Sequence, residues 1–372
     1  MRTDAGIGLY VHIPFCKRKC NYCDFASFVP ANDFRRKYID ALVEEIKEYG
    51  KSDRRAVDTV FFGGGTPSLL LPEELSRIME ALRSAFWISP DSEITAEINP
   101  GTLNEGILDS FLHHGFNRFS VGLQSIHENE LKNLGRIHGF EDFLNTYKLL
   151  RARGVKNISV DLMFGIPEQT KASFASTLDK IIELSPEHIS VYGLILEEGT
   201  PFFDTRDKLP LPNEDEEREM YFLASRRLRA AGYLHYEISN FAKGGFECRH
   251  NLKYWRREEY IGVGLAAHSF LDGRRFSNSR DTESYFNKER SLEPLPEKED
   301  ESFEYAMLNL RTASGISLSE YKERFCKNFT DGKEEIINKH LSLGLIVLDG
   351  ESLRLTPEGF YLSNTVLSDL LF

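Results

Sequence analysis

The sequence predicts an α/β protein: a partial (β/α)6 barrel followed by a smaller, mainly helical, winged-helix-like C-terminal domain. Three observations carry this. Six short apolar runs alternate with amphipathic stretches up to about residue 200. That rhythm then fades into an aromatic-rich region. The tail reads as three helices, a short hairpin and a final helix. The implied domains are residues 1–232 for the barrel, 233–290 for an aromatic-rich extension and 291–372 for the C-terminal domain.

The six runs are GLYVHIP (8–14), DTVFFGG (58–64), EITAEIN (93–99), RFSVGLQ (118–124), NISVDLMFG (157–165) and HISVYGLIL (188–196). Apolar runs of this length suit parallel strands buried on both faces. Between them lie helical stretches such as DFRRKYIDALVEEIKEY and PEELSRIMEALRSAF. Pro72 takes a plausible first helical position, and Gly50 follows a helix end. Successive βα units require right-handed crossovers, which an open sheet or a barrel can satisfy. Six strands fall short of the usual eight, so a partial barrel with one open side is expected. Beyond it, LPLPNEDEE (209–217) opens a helix through residue 231, and KERSLEPLPEKEDES (288–302) is a polar connector. The Asp349 and Gly350 pair marks a turn between LIVL and SLRL.

The formal net charge is -12, which argues against nucleic acid as the main partner. The start, MRTDAGIGLYVHIPF, carries no signal-peptide pattern, and no stretch approaches the ~20 apolar residues of a membrane span. Three of five cysteines crowd into eight residues, which suggests a metal site in a reducing, cytoplasmic setting rather than a disulfide framework.

Those three are Cys16, Cys20 and Cys23, just after the first predicted strand. Three thiolates can hold three irons of a [4Fe–4S] cubane and leave the fourth open to a small ligand. Zinc is the rival, but it favours four ligands, and Cys248 and Cys326 are remote in sequence. Gly63, Gly64, Gly65 and Thr66 end the second strand, where glycines allow close backbone approach and free N–H groups. Polar residues punctuate later strands: Glu97 ends the third, Gln124 ends the fourth, Arg136 lies in the following helix, and Asp161 lies inside the fifth. Singly each reads as a cap or ion-pair partner. Together they offer acceptors for ribose hydroxyls and a guanidinium for a carboxylate.

The segments YVHIPFCKRKCNYCDF, FFGGGTP, EINP, SVGLQS, LGRIH and DLMFGIPEQT resemble the radical-SAM superfamily. Within it they are similar to the HemN/HemW branch, which contains the oxygen-independent coproporphyrinogen III oxidase and related haem chaperones. The resemblance implies a [4Fe–4S] cluster on Cys16, Cys20 and Cys23, with S-adenosylmethionine on the open iron. It implies that Tyr10, Tyr22, Gly64, Gly65, Thr66, Glu97, Gln124, Arg136 and Asp161 line the S-adenosylmethionine site, Tyr22 near the adenine.

Two features separate the branch members. The oxidase pattern has a fourth cysteine two positions after the third, where this sequence has Phe25, and a longer stretch before its cluster. His250-Asn251-Leu252-Lys253-Tyr254-Trp255 resembles the HNxxYW motif of the chaperones. The resemblance thus implies haem as cargo, apo-haemoprotein acceptors, an electron donor, and attachment to a membrane surface without integration. Porphyrinogen oxidative decarboxylation is the alternative. His250 is a candidate haem ligand, since imidazole is a common axial ligand, and equally a candidate core residue. His12 and His268 read as structural, His268 with the option of facing the cofactor pocket; Cys248 reads as an inert small side chain, and Cys326 carries no motif.

Overall fold

A computed structural model describes residues 6–50, 55–292 and 298–371 of the chain. The first five residues and 293–297, part of the predicted connector, lie outside it.

All six expected strands form: β1 (Ile7–Ile13), β2 (Ala56–Gly64), β3 (Trp87–Ile98), β4 (Arg118–Gln124), β5 (Ile158–Phe164) and β6 (His188–Gly193). They pair in sequence order and in parallel. Helices Asn32–Tyr49, Pro72–Ala85, Glu105–His113, Phe140–Ala152 and Lys171–Leu184 connect them. Pro72 is the first residue of its helix, where its missing N–H costs nothing.

The strands differ from the sequence reading in one respect. Both faces are buried, but only the face toward the helices is apolar. Leu9, Val11, Ile13, Val60, Phe62, Ala96, Ile98, Phe119 and Val121 belong to the main apolar core. The alternate residues, among them Tyr10, His12, Thr59, Glu93, Glu97, Arg118, Ser120 and Asp161, meet one another across the lumen. A strand's period of two puts these sets on opposite sides. The barrel therefore has a polar interior in which each group needs a partner or a ligand.

The aromatic-rich region divides between the two edges of this sheet. β7 (Leu234–Glu237) and β8 (Asn240–Ala242) form a hairpin antiparallel to β6. The chain then crosses through helix Arg249–Trp255 to β9 (Tyr260–Val263), which pairs in parallel with β1. β10 (His268–Leu271), β11 (Arg274–Asn278) and β12 (Arg290–Leu292) extend that edge antiparallel. Among the described residues the sheet has twelve strands in the order β12-β11-β10-β9-β1-β2-β3-β4-β5-β6-β8-β7, and its end strands do not pair. The barrel is open, as expected of a partial one.

The tail holds helices Lys298–Asn309, Leu318–Phe325 and Glu334–Ser342, then β14 (Ile346–Leu348) and β15 (Ser352–Leu355) around the expected turn. β13 (Ile316–Ser317) pairs with β15 to complete a three-stranded wing. The predicted final helix is two, Pro357–Tyr361 and Ser363–Leu371.

Candidate cofactor site at the strand ends

Cys16, Cys20 and Cys23 are free, partly exposed thiols on the loop after β1. The loop is tied at both ends. The Cys16 N–H donates to the Phe28 carbonyl, and the Phe28 N–H donates to the Pro14 carbonyl. Among the described residues no three His, Cys, Asp or Glu side chains gather closely enough to hold a single metal ion. Three thiols on one short loop offer one thiolate to each of three irons and fall one ligand short of a tetrahedral zinc site.

The glycine run packs directly beneath this loop. The Gly65 N–H donates to the Ile13 carbonyl at 2.8 Å, and a Cβ on Gly65 would sit 2.7 Å from the Phe15 carbonyl oxygen. Gly64 has a φ of +105°, and a Cβ there would lie 2.3 Å from the His12 ring. Neither position tolerates a side chain without movement. Thr66 Oγ1 accepts from Asn99 Nδ2 at 2.7 Å and lies 3.7 Å from Cys16 Sγ. The Gly64 N–H donates to Glu97 Oε2 at 3.1 Å, joining β2 to β3.

Glu97 and Asp161 both face the lumen, half-buried but ringed by protein. Burial, reinforced by the Asp161 charge, pushes the Glu97 carboxyl up to about 7; the Gly64 N–H and Arg118 work against that rise. Burial likewise raises Asp161, against hydrogen bonds from Ser190 and Ser120. Ser120 Oγ lies 3.1 Å from each Asp161 oxygen. Two carboxyls sharing a low-dielectric lumen resist joint ionisation.

Gln124 ends β4 with a φ of +73°, in the left-handed region, where the β4–β5 register also shifts. A strained, non-glycine residue at a strand end is a recognised mark of a functional position. Its Oε1 is buried without a hydrogen-bond partner. Arg136 does not lie in the expected helix: that helix, Glu128–Asn133, ends earlier, and the intervening Gly135 turns with a φ of +77°. Arg136 lies in the loop beyond, donating to the Gly122 carbonyl and, at 3.6 Å, to Cys20 Sγ. Its Nε is buried and unpartnered. Tyr22 packs with Leu134, Met163, Ile166 and Phe202, an apolar patch at the ends of β5 and β6. The Gln124 acceptor and the Arg136 donor, both orphaned beside the cysteine loop, fit a polar ligand with acceptor and donor groups of its own.

Tyr10 and His12 stand on the other side of the lumen. His12 Nε2 lies 2.8 Å from the Ala26 carbonyl, so it carries the proton and donates. Nδ1 then accepts from the Tyr10 hydroxyl at 3.1 Å. Burial pushes the His12 pKa down to about 4, so the ring is neutral.

His250 is placed elsewhere. It is 1% exposed and lies against the start of β1, where a Cβ on Gly8 would sit 3.2 Å from its ring. Nδ1 lies 2.9 Å from Thr59 Oγ1 and Nε2 lies 2.7 Å from the Tyr254 hydroxyl. Its ring stacks on Phe61 at 5.3 Å. Burial, with Lys253 and Arg118 nearby, pushes its pKa down to about 3. Both ring nitrogens are occupied, so neither is available to an iron in this conformation. The rest of the motif is also anchored. The backbone N–H groups of Arg249 and His250 donate to the Glu93 carboxylate, and Lys253 meets Asp58, Glu258 and the Gly6 carbonyl. The segment plugs the barrel end and ties β1, β2 and β3 together.

The sequence reading missed Asn99, Arg118 and Ser120. Asn99 follows Glu97 by two residues, and Arg118 and Ser120 precede Gln124 by six and four. Even spacing along each strand was the available signal.

Residues 10–181 match the Radical SAM superfamily, and residues 297–362 match the HemN C-terminal domain. The chain is 34% identical over 368 residues to the heme chaperone HemW of Lactococcus lactis, covering 97% of this chain and 96% of the relative. It is 38% identical over 317 residues to that of Escherichia coli K12, covering 82% of each. The mitochondrial radical S-adenosyl methionine domain-containing protein 1 of Bos taurus is 34% identical, covering 98% of this chain and 87% of that one. The solved coproporphyrinogen III oxidase (HemN) of Escherichia coli superposes with a TM-score of 0.86 at 24% identity, over 100% of this chain and 91% of that one. At that identity the match speaks for the fold. Full-length coverage, two matched domains and the cysteine and glycine motifs agree: the chain belongs to the radical SAM superfamily and, within it, to the HemW family.

Proposed function

We propose that this chain is a haem chaperone, which binds haem and passes it to apo-haemoproteins. The observation that carries this is its full-length similarity to relatives named heme chaperone. Superfamily membership implies a [4Fe–4S] cluster and S-adenosylmethionine. In this reading Cys16, Cys20 and Cys23 hold three irons, and S-adenosylmethionine occupies the open one. Gly64, Gly65 and Thr66 receive its amino group against the cysteine loop. Arg136 faces its carboxylate and Gln124 a neighbouring polar group, which would satisfy both orphaned atoms. Glu97 and Asp161 accept from the ribose hydroxyls, Tyr22 borders the adenine, and Tyr10 closes the β1 side. The cluster, when reduced, supplies one-electron chemistry at the sulfonium; the chain supplies position and shielding.

The setting is cytoplasmic in this reading, in keeping with the free cysteines. No described helix is long and apolar enough to cross a membrane. Attachment to a membrane surface, in this reading, is peripheral. The electron donor would approach the cysteine loop, where Lys17, Arg18 and Lys19 are exposed.

The test pairs two measurements on cluster-loaded protein. Haem titration is expected to give a saturable Soret change. Incubation with coproporphyrinogen III, S-adenosylmethionine and reductant is expected to leave the porphyrinogen unchanged. Conversion to protoporphyrinogen would replace the chaperone reading with the oxidase one.

A further inference from the structure

A cavity opens beside the cysteine loop, on the β1–β9 side of the barrel. Its volume is about 380 Å³, within the ~300–1,000 Å³ of ordinary ligand pockets. Tyr10, Tyr254 and Tyr260 form its inner wall; Asp24, Phe25 and Ala26 of the cysteine loop, and Arg280, lie around its mouth. Phe25 is 63% exposed. Its ring therefore offers an accessible aromatic face beside Tyr10, Tyr254 and Tyr260 in the same lining.

Two imidazoles line the cavity, and their chemistry differs. His12 is engaged at both nitrogens, to Tyr10 and Ala26. His268 is exposed at the start of β10, and its ring forms no hydrogen bond, ion pair or ring contact with any described residue. It is held in place by the backbone: β10 pairs with β11 through His268 and Ser277. A free imidazole on a rigid strand is what a metal-centred ligand requires. Arg280 lies 3.1 Å from Asp24 Oδ1 and 2.6 Å from the Asp24 carbonyl, so its charge is fixed at the mouth, and it stays 64% exposed. The cavity thus combines tyrosine and phenylalanine faces, one unoccupied nitrogen donor and one guanidinium.

We infer that this cavity is where the cargo haem docks, with His268 as the axial ligand to iron, Phe25 against the macrocycle and Arg280 beside a propionate. The inference rests on the chaperone reading and deepens it. It assigns the ligand to His268 rather than His250, whose two nitrogens are spent inside the barrel. It also gives Phe25 a task. In the oxidase pattern this position is a cysteine; here it presents an aromatic face to the cavity. Imidazole binds ferric iron through one nitrogen without oxidation or loss of any group.

The experiment is haem titration of the full-length, cluster-loaded protein and of three variants, His268→Ala, His268→Met and Phe25→Ala, followed by the Soret band and low-temperature EPR. Iron and sulfide content reports whether each variant is intact. His268→Ala is expected to weaken haem binding at least tenfold and to lose the wild-type ligand field, with free imidazole restoring the spectrum. His268→Met is expected to bind with a changed EPR signature, because a thioether replaces the nitrogen. Phe25→Ala is expected to weaken binding with an unchanged signature. His268→Ala protein with wild-type affinity and spectrum would overturn the inference while leaving the chaperone reading in place. Wild-type protein that takes up no haem would overturn the chaperone reading itself.

Discussion

Glu97→Gln changes a charge without changing shape. The Glu97 carboxyl is raised to about 7 from an ordinary 4.5 because it is ringed by protein in the lumen and faces Asp161. A folded-state pKa above the unfolded value means the folded state binds the proton more tightly. Stability from this group is therefore complete below pH ~4.5 and is lost as pH rises through ~7. One pKa unit corresponds to ~1.4 kcal/mol, so the full penalty of ionised Glu97 approaches ~3 kcal/mol. Glutamine keeps the acceptor for the Gly64 N–H and carries no charge. The variant is expected to gain about 1 kcal/mol over wild type at pH 5 and about 3 kcal/mol at pH 8. Urea unfolding of the cluster-free protein at four or five pH values reads the difference directly. At pH 8, where Glu97 is ionised, S-adenosylmethionine binding to the loaded protein should fall in the variant, because the amide is a weaker acceptor for a hydroxyl than a carboxylate. A stability difference that does not grow with pH, or a variant less stable than wild type at pH 8, would refute the electrostatic account of this lumen.

Other perturbations reach the remaining parts of the site. Replacing Cys16, Cys20 or Cys23 singly with Ala should abolish cluster retention, read as loss of iron and sulfide after anaerobic reconstitution, while Cys326→Ala should retain both. Gly64→Ala drives a Cβ into the His12 ring and holds alanine at positive φ, so it should cost at least about 2 kcal/mol by thermal or urea unfolding. His250→Ala removes a buried ring and orphans Thr59 and Tyr254, which should cost about 2–5 kcal/mol yet leave the haem EPR signature of the folded fraction unchanged. Lys253→Met leaves Asp58 and Glu258 without their shared cation; as both carboxylates keep some solvent, a loss near about 2–3 kcal/mol is expected.

The βα rhythm was legible because apolar residues face the surrounding helices, and that face alone was enough to mark each strand. The cysteine spacing and the glycine run were legible because they are local: three thiols within eight residues, and backbone that must pass close to another strand. Partnership across the lumen was not local. EITAEIN alternates strictly, and Glu93, Thr95 and Glu97 fall on one face of β3. Nothing in that stretch states that Glu93 caps helix Arg249–Trp255 from more than 150 positions away. Gln124 gave no sign of its left-handed backbone, which arises from the register shift against β5.

The HNxxYW segment shows how much of a motif's chemistry is left to its neighbours. Its residues are those of a haem ligand with aromatic packing, and a sequence cannot distinguish a histidine that faces a ligand from one that faces a barrel. The neighbours decide it. Thr59 and Tyr254 take both nitrogens of His250, Phe61 covers its face, and Lys253 draws Asp58, Glu258 and the Gly6 carbonyl into the same knot. A segment so placed earns its sequence by closing the barrel end, and it holds β1 at the height from which the cysteine loop departs. Moving His250 onto an iron would break two hydrogen bonds and the stack, each worth roughly 1 kcal/mol, and open a cavity worth more. His268 would break none. Where two imidazoles compete for one metal on one scaffold, the one with no bonds to lose binds at the lower cost.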